Sequence, residues 1–311
     1  MPRPLILLGS LLVVGLTVGL EAAAESSAEA KAQGQGICPT DSSRAIARKI
    51  LDDSLPQAER EALVAQHPET SAELIVAMVE DLTPGTDEEY RRIPWIWRVA
   101  IAGGRRNDVK ELAQLLDASL PAPSARLDDW RAVVIGGGLI NGVSLEDVWP
   151  AVRFEQVLAG RPDLMPRWRE AIKLASVMAD DDKIKTGTRY DALRMLGVEP
   201  WDRSGAQLFR YLVKGVHPEL QQGGVSGLAD VPTPCAGPAL LSGMNHYSPH
   251  VQNFALDALL RDEGRVSALL DAVAEGRLAK SKLGAKRIAT LVNYPQEDLK
   301  RRAVELLGTE K

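Results

Sequence analysis

The chain has 311 residues, 45% of them apolar and 25% charged, with a formal net charge of −5. That length holds one or two domains with a substantial core, and the acidic balance excludes the strong basic excess of nucleic-acid binders. Aromatic residues are 5% of the chain, yet six of them are Trp.

The N-terminus reads as an export signal rather than as part of the fold. Arg3 precedes the apolar run LILLGSLLVVGLTVGL, residues 5–20, and small residues follow at Ala22, Ala23 and Ala24. The run is about 16 residues, whereas a membrane span needs about 20. A cleaved signal peptide over residues 1–24 is therefore favoured over an anchor, and export to the periplasm or beyond is the expectation. Residues 25–40 open with ESSAEAKAQGQG, an Ala, Ser, Gln and Gly stretch with no apolar period, as a flexible tether has. Export also bears on the two cysteines, Cys38 and Cys235, because disulfides persist in oxidising compartments. They are either a bridge from the mature N-terminus to the middle of the chain or two unrelated thiols.

Helical spacing begins at residue 41. DSSRAIARKILDD places Ile46, Ile50 and Leu51 on one face behind Asp41 or Ser42 as N-cap. Pro56 and Pro68 open two more short helices, the second carrying Leu74, Ile75, Met78 and Val79. In PGTDEEYRRIPWIWRVAIAGGRRND, Pro94 turns Ile93 away from helical geometry. WIWRVAIAGG then forms a helix apolar nearly all round, which implies burial on several sides, with Gly103 and Gly104 as its C-terminal caps. Trp95 and Trp97 are either groove-lining anchors for a partner, with Arg98 beside them, or filler between two layers, and the apolar surroundings favour filler. Asp108 and Glu111 make a capping box for the next helix.

DDWRAVVIGGGLINGVS carries Gly136, Gly137, Gly138 and Gly142 after an apolar run. A dinucleotide fingerprint needs G-x-G-x-x-G between strand and helix. Here the last glycine comes a residue late and no parallel strand is nearby, so the glycines serve close helix approach. Residues 154–179 read as one long helix with Trp168, Ile172, Ala175 and Met178 in step. Asp180, Asp181 and Asp182 lack the alternate spacing of a calcium loop and read as a helix end. TGTRYDALRMLG gives a helix with Thr188 as N-cap and Gly197 as C-cap.

Together RIPWIWRVAIAGGRRND, DDWRAVVIGGGLINGVS, TGTRYDALRMLG and QGGVSGLADVPTP resemble the HEAT-like helical region of large exported planctomycete-type dehydrogenase and c-type cytochrome proteins. The resemblance spans about residues 41–308 and implies an exported redox assembly with a haem- or propeller-containing protein as partner. The chain lacks the C-x-x-C-H motif that attaches haem, so no functional residue carries over.

The remaining motifs read as structural. GGVSGLAD has Leu228 where a nucleophile elbow needs glycine, so Ser226 is no hydrolase serine. His246 and His250 have metal-ligand spacing, but Pro249 opens a helix between them and leaves His246 in a turn. Met244 with His246, a possible haem ligand pair, falls to the same reading.

Residues 246–308 state one unit twice. Pro249 opens a helix with Val251, Phe254, Ala255, Ala258 and Leu259 on one face; Pro295 opens another with Leu299, Ala303, Leu306 and Leu307. Tyr247 and Tyr294 set a period of about 47 residues, that of two-helix HEAT-type units. A basic stretch, residues 277–302, runs into the second copy, and its Lys282, Lys286, Arg287 and Arg301 are either a surface that docks an acidic partner or anionic lipid headgroups or a solvated outer helix face.

These readings predict an all-α fold, a HEAT-like α-solenoid of irregular helical hairpins over residues 41–311. The expected function is a non-catalytic exported scaffold for protein–protein interaction within a redox assembly, with no cofactor, no nucleic acid and no membrane span after signal cleavage. The competing expectation is a haem- or metal-carrying electron-transfer subunit, or an enzyme with an unrecognised site.

Overall fold

Among the described residues, apolar positions at helical spacing form sixteen α-helices, and there is no strand. The structure is a computed structural model describing residues 37–83, 85–120 and 129–308. The expected signal peptide and residues 25–36 of the expected tether lie outside the described residues.

The helices are α1 (Asp41–Ile50), α2 (Gln57–Gln66), α3 (Ser71–Val79), α4 (Asp87–Arg106), α5 (Val109–Ser119) and α6 (Asp129–Ser144). The middle of the chain forms α7 (Pro150–Gly160), α8 (Leu164–Asp180), α9 (Thr186–Leu196), α10 (Trp201–Arg210) and α11 (Pro218–Asp230). The last five are α12 (Ala236–Ser242), α13 (Pro249–Ala258), α14 (Glu263–Ala274), α15 (Gly284–Val292) and α16 (Glu297–Leu307).

Each helix hides its apolar stripe against a near neighbour in the chain. One row runs through α2, α4, α6, α9, α11 and α13, and a second through α1, α3, α5 and α7. Toward the C-terminus α12, α14 and α16 pack in sequence, with α15 against α16. The α4–α6 pair is the most extensive. It rests on glycine: a Cβ on Gly142 would lie 2.3 Å from the Ile101 carbonyl, and one on Gly104 would lie 2.5 Å from the Leu139 carbonyl. The glycine run thus lies within a helix and brings two backbones together, as the sequence suggests.

Several local expectations are corrected. Pro94 does not break its helix: α4 continues from Asp87 to Arg106 with the proline inside it. A proline inside a helix costs about 3 kcal/mol, through the lost backbone hydrogen bond and the clash of its ring with the preceding turn. Burial of Trp95, Ile96, Val99 and Ala100 on the following turns offsets that loss. Gly103 and Gly104 lie inside α4, which ends at Asn107 in the left-handed conformation (φ 53). Asp108 does cap α5 by accepting the Lys110 and Glu111 N–H groups, but Glu111 pairs with Arg106 rather than closing the box.

The single helix expected over residues 154–179 is two, α7 and α8, parted at Arg161, Pro162 and Asp163. Thr40, not Asp41 or Ser42, caps α1, and its N–H and Oγ1 both donate to Glu73. The end of the expected tether is therefore bound to the fold. Cys38 and Cys235 are both free and exposed, so the bridge is not formed. Cys38 precedes α1, which packs on α2 and α3, whereas Cys235 precedes α12, which packs on α11 and α14.

One polar cluster sits in the core. Asp230, fully buried at the end of α11, accepts from Arg194 of α9 (3.0 Å), Arg261 after α13 (2.6 Å) and Ser144 of α6 (2.5 Å). Arg265 of α14, also fully buried, donates to the carbonyls of Ala229 (2.9 Å) and Val231 (2.6 Å), satisfying the end of α11. Arg261 and Arg265 stack on the Trp149 ring at 4.4 and 5.1 Å from its centroid.

Candidate functional site: a cleft between α4, α9 and α11

A concavity of about 560 Å³ opens between α4, α9 and α11. That lies within the range of small-ligand sites. From α4 come Tyr90, Ile93, Pro94, Trp97 and Arg98; from the start of α9 come Lys185, Thr186, Thr188 and Asp191; from α11 come Glu219 and Gln222.

Helical spacing puts Tyr90, Ile93 or Pro94, and Trp97 on one face of α4, where they form an apolar and aromatic wall. Trp97 is half-buried, and its indole N–H donates to Asp191 Oδ1 at 2.9 Å, tying α4 to α9. Glycine makes room for this contact. A Cβ on Gly137 of α6 would sit 2.7 Å from the Asp191 Cβ, and one on Gly138 would sit 3.3 Å from Trp97 Cδ1.

Asp191 is 5% exposed. Burial holds its carboxyl well above the usual carboxylate range, against the opposing pull of the Trp97 N–H and the Arg194 charge, with Glu219 adding to the rise. Lys185 lies on the opposite wall, its ammonium 3.2 Å from the centroid of the Tyr90 ring, an attraction to the ring face. Arg98 is half-buried at the rim, where it donates to the Pro94 carbonyl (3.0 Å) and approaches Glu61 (3.5 Å). Beyond Arg98 a second concavity of about 520 Å³ continues along α4 past Ile101, Ala102 and Arg105.

Of the residues singled out for partner binding, Trp97 and Arg98 belong to this cleft. Trp95 does not: it is buried, with the Arg60 and Arg98 guanidinium groups 4.0 and 5.0 Å from its ring centroid. Its alternation with Trp97 points the two rings to different sides of α4. Lys282 and Lys286 are exposed, Arg301 is exposed and paired with Asp298, and Arg287 is half-buried against Asp257 and Asn253. These four lie on or next to α15 and α16, whose main packing partners are each other and α14, so the two groups do not form one site.

The other motifs take structural places. Ser226 is buried inside α11 without a hydrogen-bond partner. Asp180 accepts from Gln207, Arg210 and Tyr211, joining α8 to α10. His246 lies before α13 with Nε2 2.8 Å from the Leu212 carbonyl, while His250 is inside α13 with its ring edge-on to Phe254. Among the described residues no three His, Cys, Asp or Glu side chains gather at metal-ligand spacing, and no helix is long and apolar enough to cross a membrane.

Asp191 and Lys185 were missed by sequence reasoning. Only the glycine run signals them, since it marks where α9 and α4 approach α6. Comparison of the chain with models of known protein families, with curated proteins and with solved structures finds no match.

Proposed function

We propose that the chain is an exported, HEAT-like α-solenoid that binds another exported protein through the cleft between α4, α9 and α11. The observation that carries this reading is the half-buried Trp97, fixed by its N–H bond to Asp191 and flanked by Tyr90 and Arg98. Tryptophan, tyrosine and arginine held in a concave setting are the residue types that dominate binding energy at interfaces. Neighbour-on-neighbour helix packing supports the solenoid, because such hairpins have no other way to hide their apolar faces. The redox partner is the one the sequence resemblance implies, a haem- or propeller-containing protein.

A second reading has one observation in its favour. A buried carboxyl held above its ordinary range, in a cleft, is the profile of a general acid, which would make Asp191 a proton donor to a bound substrate.

A photo-crosslinking residue in place of Tyr90, in the full chain expressed in its native host, tests the scaffold. A single discrete adduct, recovered reciprocally from the partner and abolished by Trp97→Ala with Arg98→Glu, is expected. Diffuse labelling unaffected by those changes overturns it. An absorbance spectrum of the adduct showing a Soret band identifies a haem partner.

A further inference from the structure

The cleft lining carries two cations, Lys185 and Arg98, and two carboxyl groups, Asp191 and Glu219, together with the hydroxyls of Tyr90, Thr186, Thr188 and Tyr190. Helix α9 starts at Thr186 with Lys185 before it and no side-chain cap. Its first N–H groups therefore lack the usual acceptor and carry the positive end of the helix dipole. The Thr188 expected as N-cap lies inside the first turn instead. It is 8% exposed, and its hydroxyl has no hydrogen-bond partner among the described residues.

Asp191, one turn further along α9, has Oδ1 filled by the Trp97 N–H, while Oδ2 has no hydrogen-bond partner among the described residues. Two side chains more than nine-tenths buried thus bring unpartnered polar atoms to the lining of one cleft. Neither atom is among the fully enclosed ones that lack a partner, so both are open to a ligand entering the cleft. Lys185 and Arg98 add two cations at the rim.

Glu219 is the opposing group. It is exposed, and its Oε1 lies 3.7 Å from where a Cβ on Gly187 would be, beside the first turn of α9. Its carboxylate makes no hydrogen bond among the described residues. The first turn of α9 thus already has a carboxylate beside it, on a side chain that solvent leaves unrestrained.

We propose that this cleft captures the free C-terminal carboxylate of a peptide whose last side chain is aromatic or large and apolar. The carboxylate lies at the start of α9, accepting from the Thr188 hydroxyl and the first backbone N–H groups, with Lys185 and Arg98 beside it. The terminal side chain lies along Tyr90, Ile93, Pro94 and Trp97. Asp191 presents Oδ2 to the second carboxylate oxygen as a donor in its protonated form. This assignment rests on the cleft being the recognition surface of the scaffold.

The test uses the purified full chain and three probes: N-acetyl-Ala-Phe with a free C-terminus, the same dipeptide as its C-terminal amide, and 3-phenylpropionate. Binding is followed by calorimetry and by tryptophan fluorescence, with Trp97→Phe identifying the reporting ring. The free acid is expected to bind about tenfold more tightly than the amide, the worth of one charge-assisted contact. Thr188→Val should weaken it about fivefold with unchanged circular dichroism, and Glu219→Gln should tighten it about threefold by removing the resident carboxylate.

Equal binding of acid and amide, or no binding of either, overturns the proposal. Binding of 3-phenylpropionate as tight as that of the dipeptide acid also overturns it, in favour of a small organic acid. The two readings fail separately. A crosslinked partner with no preference for the free acid sinks the carboxylate site alone, and tight dipeptide binding without a crosslinked partner sinks the scaffold alone.

Discussion

At the scale of the residue, Asp191 is where structure and chemistry conflict most. Its folded-state carboxyl is held above the ordinary range by burial, whereas in the unfolded chain it titrates near about 4. The sign follows from that difference. Below about pH 4 both states are protonated and the residue costs nothing. As pH rises past that point the unfolded chain ionises freely while the folded one resists, so stability falls until the folded carboxyl titrates. Asp191→Asn keeps an acceptor for the Trp97 N–H and cannot ionise. Its melting temperature should match the wild type at pH 4 and exceed it at pH 8, measured by circular dichroism across that range. A variant that matches the wild type at pH 4 and is less stable than it at pH 8 would show that the carboxylate, not the acid, is the form the fold selects. Arg194, whose charge also bears on this carboxyl, is held above its own ordinary value and stays charged throughout that range.

At the scale of the element, the α4–α6 crossing decides whether the cleft exists, because Gly137 and Gly138 of α6 shape the space for Asp191 and Trp97. Gly142 sits where the backbones are closest, 2.3 Å separating an added Cβ from the Ile101 carbonyl and 2.7 Å from the Arg105 nitrogen. Neither backbone can move without shifting a whole helix. Gly142→Ala should therefore cost about 3 kcal/mol, the upper end of overpacking, read as a lower urea midpoint. Gly160→Ala, at a helix end with nothing within 4 Å of the new methyl, is the control. It should change stability by about 1 kcal/mol or less, in the stabilising direction.

The same crossing shows what the sequence exposes and what it hides. The i, i+3, i+4 spacing in residues 249–259 and 299–307 is a local property of burial, and both stretches are helical, although Phe254, expected on the apolar face, is exposed. Gly142 and its neighbours announce close packing because little else explains four glycines in an apolar helix. Pro94 misleads because its penalty is local while the burial that outweighs it is tertiary. The break between α7 and α8 hides because its flanks keep helical spacing on both sides of Pro162. Trp97 and Asp191 are 94 residues apart, and no periodicity links them. The cleft is thus invisible until α6 has brought α4 and α9 together.

At the scale of the whole molecule, neighbour-on-neighbour packing raises the question of what keeps the row from unfolding piece by piece. Stacked helical units unfold together only as far as the interfaces between them are strong. The Asp230 cluster is one such interface. A single fully buried carboxylate joins Ser144 of α6, Arg194 of α9 and Arg261 after α13, while Arg265 closes the end of α11. Asp230→Asn keeps the shape and removes the charge, leaving two buried or half-buried guanidinium groups without their counter-ion. Breaking a buried pair from one side costs about 3–5 kcal/mol, so the urea midpoint should fall accordingly. The spectroscopic signature should change as well, because Trp149 lies under the Arg261 and Arg265 guanidinium groups and reports their position. If the cluster couples the two halves of the row, circular dichroism and Trp149 fluorescence coincide in the wild type and separate in Asp230→Asn. The other tryptophans are replaced by phenylalanine in both backgrounds to isolate that signal. Coincident curves in both proteins would place the coupling in the apolar helix contacts instead, and Asp230 would then serve only to neutralise the arginines around it.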